Sequence, residues 1–181
     1  MKISTTKFEG LLIFEPTVFN DSRGYFFESF SENKLIDAGL KYNFIQDNQS
    51  YSKKNVIRGL HFQSDPFPQT KLVRAIRGNI LDVVVDIRNG SKTFGQWYSI
   101  ELSGENQKQL LVPSGFAHGF SVLSEDAIVS YKVDNVYKKE YEVGIVYNDK
   151  TLNIDWGVDL QNCIVSEKDK VLSSFLEIKP Y

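Results

Sequence analysis

Two histidines occur in 181 residues, and both sit between apolar neighbours, in Leu60-His61-Phe62 and Ala117-His118-Gly119-Phe120. An imidazole titrates near neutral pH, so either suits acid–base work or metal binding. Other polar groups also interrupt apolar stretches. The period of two in a strand puts Gln46, Asn48 and Ser50 on one face of Phe44-Ile45-Gln46-Asp47-Asn48-Gln49-Ser50. It likewise puts Asp82 and Asp86 on one face of Ile80-Leu81-Asp82-Val83-Val84-Val85-Asp86. A backbone hydrogen bond explains any one of these, but the set together points to an interior cleft with polar walls. Lys71 opens the apolar Leu72-Val73 run, where a surface lysine is equally natural. Tyr131 alternates with Val129 and Val133, a place for core packing or for a proton-donating phenol.

The elements that must carry these residues are short strands. Strand-like runs cover 11–14, 25–30, 44–51, 71–76, 80–87, 97–102, 109–112, 116–123 and 127–133, with the two histidine segments inside core strands. Turns fall at Arg77-Gly78-Asn79, Arg88-Asn89-Gly90, Ser103-Gly104-Glu105-Asn106 and Pro113-Ser114-Gly115, where Gly and Asn tolerate positive φ. Ten or more short strands at this spacing predict an all-β sandwich or barrel, not a βαβ fold. One short helix is expected over 31–38, capped by Ser31 and ended by Gly39, and a second over 168–176.

The composition bounds the rest. Hydrophobic residues make up 41%, charged residues 24% and aromatics 13%, with a net charge of −2. These values exclude a disordered chain and a disulfide miniprotein, and carry no signature of nucleic-acid binding. The length fits one domain over residues 1–181. A lone cysteine, Cys163, forms no internal disulfide and fits a reducing compartment. No apolar run approaches the ~18 residues of a membrane span, and the first residues lack a signal-peptide core, so a soluble cytoplasmic protein is expected.

Pro113-Ser114-Gly115-Phe116-Ala117-His118 resembles the second half-motif of the cupins, Pro-x-Gly-x-x-His. The first cupin half-motif carries His-x-His, whereas this chain reads His61-Phe62-Gln63. Catalytic metal sites usually take three protein ligands, and the spacing that supplies two from one strand is missing. Metal-free chemistry is therefore expected, with no cofactor.

A longer series of motifs follows in order: Asp21-Ser22-Arg23-Gly24-Tyr25-Phe26-Phe27-Glu28, Gln46-Asp47-Asn48-Gln49-Ser50, Arg58-Gly59-Leu60-His61-Phe62-Gln63, Gln69-Thr70-Lys71 and Gly78-Asn79-Ile80-Leu81-Asp82. The cupin half-motif, Tyr131-Lys132, Ile154-Asp155-Trp156 and Ser166-Glu167-Lys168-Asp169 complete it. On these stretches, spread over roughly 150 residues, the chain resembles the dTDP-4-dehydrorhamnose 3,5-epimerase family. The resemblance implies a cupin-type jelly roll with short peripheral helices. It further implies a homodimer with shared active sites and a nucleotide-diphosphate 4-keto sugar as substrate. The implied reaction inverts carbons 3 and 5, both beside the ketone.

That reaction needs a base, a group to stabilise the enolate oxygen, and an acid on the opposite face. The ketone itself is the electron sink. His61 is assigned as base, Lys71 as enolate stabiliser and Tyr131 as acid. The resemblance implies that Asp169 orients His61; read from its own polar segment, 166–170, Asp169 is simply solvated. It also implies Arg58 and Arg23 for the diphosphate and sugar, and Phe26, Glu28 and Tyr137 for base and ribose. Gln46 and Asn48 fall to the nucleotide or sugar, and His118 to a phosphate or a supporting position. Arg23, Phe26 and Glu28 are implied to reach in from the other subunit.

The chain departs from the family at Tyr147-Asn148-Asp149, where Trp is common, and across 138–144, just after Tyr137. A dTDP-hexose is the default substrate; a GDP-linked 4-keto-heptose or a carbon-3-only reaction is the alternative. A metal-dependent cupin enzyme and a non-catalytic sugar-nucleotide binding protein are the readings of other classes.

Overall fold

The computed structural model describes residues 1–181. Thirteen strands dominate it: β1 Lys2–Thr5, β2 Leu12–Glu15, β3 Phe19–Asp21, β4 Gly24–Phe26, β5 Gln46–Lys53, β6 Ile57–Gln63, β7 Lys71–Arg77, β8 Asn79–Asp86, β9 Trp97–Ser103, β10 Gln109–Val112, β11 Phe116–Val122, β12 Asp126–Val133 and β13 Glu142–Gly144. One sheet runs β1-β2-β10-β7-β12-β5 and a facing one β13-β6-β11-β8-β9. All pairings between these strands are antiparallel, and β3 and β4 form a separate hairpin. This is a cupin-like jelly-roll sandwich: the strand spacing predicts the all-β sandwich, and the jelly roll is what the family resemblance implies.

Two apolar layers hold the sandwich. Between the sheets lie Val73 and Ala75 of β7, Ile80 and Val84 of β8, and Ala127 and Val129 of β12. Behind the second sheet, Val83 and Val85 of β8 pack with Leu60, Phe62, Ile154, Trp156 and Phe175. β8 reads as a nearly continuous apolar run because both its faces are covered. Each fully buried aliphatic side chain contributes roughly 1.5–3 kcal/mol. These layers therefore fix which face of each strand looks inward. The inward faces of β7 and β12 carry Lys71 and Tyr131 beside the inner core.

Helix α1, Glu32–Asp37, matches the expectation: the Lys34 amide donates to the Ser31 hydroxyl, and Gly39 takes φ +77°. Its one buried residue, Leu35, packs with Phe14, Leu72 and Leu111. The second helix is much shorter than expected. Helix α2 covers only Glu167–Lys170, capped by Ser166. Beyond it, the Ser173 carbonyl accepts from the Val146 amide, the Phe175 amide donates to Asp149, and Phe175 and Ile178 are buried. These tertiary ties override helical propensity there. The strand expected over 25–30 also stops early, at Phe26, because its partner β3 has only three residues. Phe30 instead packs edge-on against Phe44, with ring centroids 5.8 Å apart.

Candidate active site

The two histidines are direct cross-strand partners, His118 on β11 opposite His61 on β6. Leu60 and Phe62 enter the outer core, so His61 between them faces the interior. The close approach of β6 and β11 depends on glycine. Gly59 takes φ +117°, and a Cβ there would lie 2.6 Å from the Gly119 Cα.

Each histidine has its own carboxylate. His61 Nε2 lies 2.8 Å from Asp169 Oδ1, and the Gly59 amide donates to Asp169 Oδ2 at 3.1 Å. Burial pushes the Asp169 carboxyl up, but the His61 and Gly59 hydrogen bonds outweigh it and hold the carboxyl below its ordinary range. An ionised Asp169 only accepts, so His61 donates through Nε2–H and keeps the lone pair on Nδ1. His118 Nε2 lies 2.9 and 3.1 Å from the two oxygens of fully buried Asp82.

Lys71 Nζ donates to the His61 carbonyl at 3.3 Å. Burial lowers its pKa to about 8, against the upward pull of Asp82 and Glu142. Tyr131 keeps its proton more tightly than a free phenol, through burial and nearby Glu142, with Arg58 opposing.

These groups line two adjoining chambers. The larger, about 500 Å³, holds Ser50, Arg58, His61, Lys71, His118, Tyr131 and Asp169. The smaller, about 260 Å³, is walled by Gln46, Asn48, His61, Lys71, Tyr131 and Tyr137. His61, Lys71 and Tyr131 are the three side chains common to both. An imidazole, an ammonium and a phenol thus converge at one junction.

The remaining sequence candidates divide between the chamber walls and the surface. Arg58 is tethered by its Nε to the Ser52 hydroxyl at 2.9 Å and by Nη2 to the Tyr51 carbonyl at 3.1 Å. Gln46 Nε2 donates to Asn48 Oδ1 at 2.9 Å on the expected face of β5. Arg23, Phe26 and Glu28 line neither chamber of this chain. Arg23 pairs with Asp21 at 2.6 Å, Glu28 with Lys34 at 3.1 Å, and Phe26 is 71% exposed. Asp86, grouped with Asp82 by periodicity, binds Arg88, Ser91 and Thr93 instead, and lines neither chamber.

No group of three or more His, Cys, Asp or Glu side chains converges in a metal-binding arrangement. Gln63, at the position of the missing second histidine, ties loops together. Its Nε2 donates to the Phe67 and Val136 carbonyls, and its Oε1 accepts from the Lys138 amide at 2.6 Å.

The family model described as dTDP-4-dehydrorhamnose 3,5-epimerase matches residues 5–177. The chain belongs to this family. It is 51% identical over 170 residues to the dTDP-4-dehydrorhamnose 3,5-epimerase of Shigella flexneri, covering 93% of each chain. It is 48% identical to a crystal structure of the Elizabethkingia anophelis dTDP-4-dehydrorhamnose 3,5-epimerase, with a TM-score of 0.94 and coverage of 100% and 99%. It is also similar to the dTDP-6-deoxy-D-glucose-3,5-epimerase of Legionella pneumophila, solved with dTDP-4-keto-L-rhamnose. There the identity is 45%, the TM-score 0.93, and the coverage 98% and 94%.

Glu142 and Lys168, not among the sequence candidates, also line the two chambers. Glu142 accepts from the Tyr137 hydroxyl at 2.6 Å and from Lys168 Nζ at 2.5 Å. Burial raises the Glu142 carboxyl, but Lys168 and Tyr137 outweigh it and leave it below its ordinary range. The same contact pushes Tyr137 up to about 12. The available signal was position: Lys168 immediately precedes Asp169, and Glu142 lies on the strand that pairs with β6.

Proposed function

We propose that this chain epimerises carbons 3 and 5 of a dTDP-linked 4-keto-6-deoxyhexose, without metal or nicotinamide. The observation that carries the reading is the junction of His61, Lys71 and Tyr131 between two chambers. The larger chamber, with Arg58 at its wall, suits the sugar and diphosphate. Guanidinium donors match phosphate oxygens, and the bonds from Nε and Nη2 of Arg58 to β5 fix the group while leaving its Nη1 donors for a phosphate. The smaller, with Tyr137, Gln46 and Asn48, suits the nucleoside.

In this reading His61 Nδ1 removes the proton beside the ketone. The C–H electron pair moves into the ring and the ketone oxygen becomes an enolate. Lys71 donates to that oxygen, stabilising charge that develops only in the transition state. Tyr131 returns a proton from the opposite face and inverts the carbon. Asp169 stabilises the imidazolium formed on His61. The imidazolium then releases its proton to solvent and the tyrosinate takes one from solvent, which resets both groups, and the sequence repeats at the second carbon.

We also propose that residues 1–181 act as one jelly-roll unit that pairs with a second copy. The β3–β4 hairpin supports this, since it projects Phe19, Tyr25 and Phe26, all more than half exposed, away from its own core. In such a dimer Arg23, Phe26 and Glu28 complete the neighbouring site. A cytoplasmic setting agrees with the single free Cys163. No helix is long and apolar enough to cross a membrane.

The test is solvent exchange in D2O with dTDP- and GDP-linked 4-keto sugars, followed by NMR. Deuterium at carbons 3 and 5 of the dTDP-hexose is expected. Exchange at carbon 3 alone, or only with the GDP sugar, corrects the reading. Binding without exchange, or exchange that requires added metal, overturns it.

A further inference from the structure

Four side chains of β5 point to one face, and three of them have protein partners. Gln46 pairs with Asn48, and Ser52 accepts from Arg58. Ser50 is the exception. Its hydroxyl is screened from bulk solvent and finds no protein hydrogen-bond partner, and the residue lines the larger chamber with the three junction side chains. The one other buried side-chain polar atom without a partner, Asn79 Oδ1, lies outside both chambers. A buried hydroxyl without a partner is unfavourable, so a position that keeps one inside a cleft is matched to a polar group of a ligand.

We infer that Ser50 is a specificity-determining residue whose hydroxyl binds the carbon-2 hydroxyl of the hexose. The inference rests on the epimerase reading above. In a 4-keto-6-deoxyhexose, carbon 1 carries the diphosphate, carbon 4 the ketone and carbon 6 a methyl. Hydroxyls remain at carbons 2 and 3 only. The carbon-3 hydroxyl changes position when that centre inverts, whereas the carbon-2 hydroxyl keeps its configuration throughout. A fixed partner on a rigid strand therefore fits carbon 2. The neighbours agree, because Arg58, suited to the diphosphate on carbon 1, faces the same chamber. Tyr131 sits opposite Asn48, two residues from Ser50 along β5, so the contact holds the ring near the junction.

The test compares the unsubstituted chain, Ser50→Ala and Ser50→Thr. The substrates are dTDP-4-keto-6-deoxyglucose and its 2-deoxy analogue, the readout is kcat/KM for deuterium incorporation, and each protein's Tm is recorded. Ser50→Ala is expected to lose about tenfold on the hydroxylated sugar and nothing on the analogue, where it matches the unsubstituted chain. Ser50→Thr, which retains a hydroxyl, keeps a preference for the hydroxylated sugar. Affinity for dTDP alone stays unchanged, because the contact is to the sugar. Equal activity of Ser50→Ala on the hydroxylated sugar overturns the inference. So does an equal loss on both sugars, or a loss explained by weaker dTDP binding. If the unsubstituted chain exchanges neither sugar, the epimerase reading fails and takes this inference with it.

Discussion

At the scale of single residues, groups a few ångströms apart carry unequal tasks. His61→Asn removes the base while keeping a polar side chain, and exchange should fall by about 10²–10⁴. Tyr131→Phe should spare proton removal and impair inversion. Deuterium then washes in with retention faster than epimer accumulates, which NMR separates. Lys71 predicts a pH limb. Its ammonium, with a pKa of about 8, is charged below that value and neutral above it. kcat should therefore fall as pH rises through about 8, and Lys71→Arg, whose charge does not titrate, should lack this limb. The interior position of His61 was legible because a histidine between Leu60 and Phe62 is conspicuous, whereas Lys71 and Tyr131 read equally well as a surface lysine and as core packing, and only the family resemblance singled them out. Asp169 was not legible, since its local segment is polar. Only a one-turn helix packed against β6 buries it, and no periodicity signals a single turn.

At the scale of elements, the site depends on how closely strands approach and how their ends are tied. Gly59→Ala forces a Cβ against the Gly119 backbone at a positive φ. It should cost about 2 kcal/mol or more in a denaturant melt and displace His61 relative to Asp169. The end of β8 gives a pH prediction. Burial pushes the Asp86 carboxyl up, but hydrogen bonds from Arg88, Ser91 and Thr93 outweigh it and lower its pKa to about 2 from 3.8. A pKa lowered by folding contributes stability above the unfolded value and loses it as the folded pKa is approached. With its side chain fully enclosed, Asp86 should contribute on the order of 2 kcal/mol above pH ~4, lost between ~4 and ~2. An acid titration of Tm, steeper in the unsubstituted chain than in Asp86→Asn, checks this. Periodicity placed Asp82 and Asp86 on one face correctly but did not separate their tasks. That difference comes from the turn following Asp86, which returns Arg88, Ser91 and Thr93 to its carboxylate.

At the scale of the whole molecule, strand spacing and turn residues predicted the sandwich, because a hydrophobic face with period two must be covered by another sheet. The pairing order was beyond them: β6 joins β11 and β13, contacts set by long-range packing. The proposed second copy has a direct consequence. Sedimentation should give twice the 20.7 kDa chain mass, and Phe26→Ser on the exposed hairpin should shift the species toward one chain and raise KM. The central claim, that a histidine, a lysine and a tyrosine between two chambers invert carbons beside a ketone, is tested most directly by NMR of dTDP-4-keto-6-deoxyglucose in D2O. Deuterium is expected at carbons 3 and 5 with the unsubstituted chain, and almost none with His61→Asn. Undiminished exchange in His61→Asn, or none with the unsubstituted chain, would contradict it.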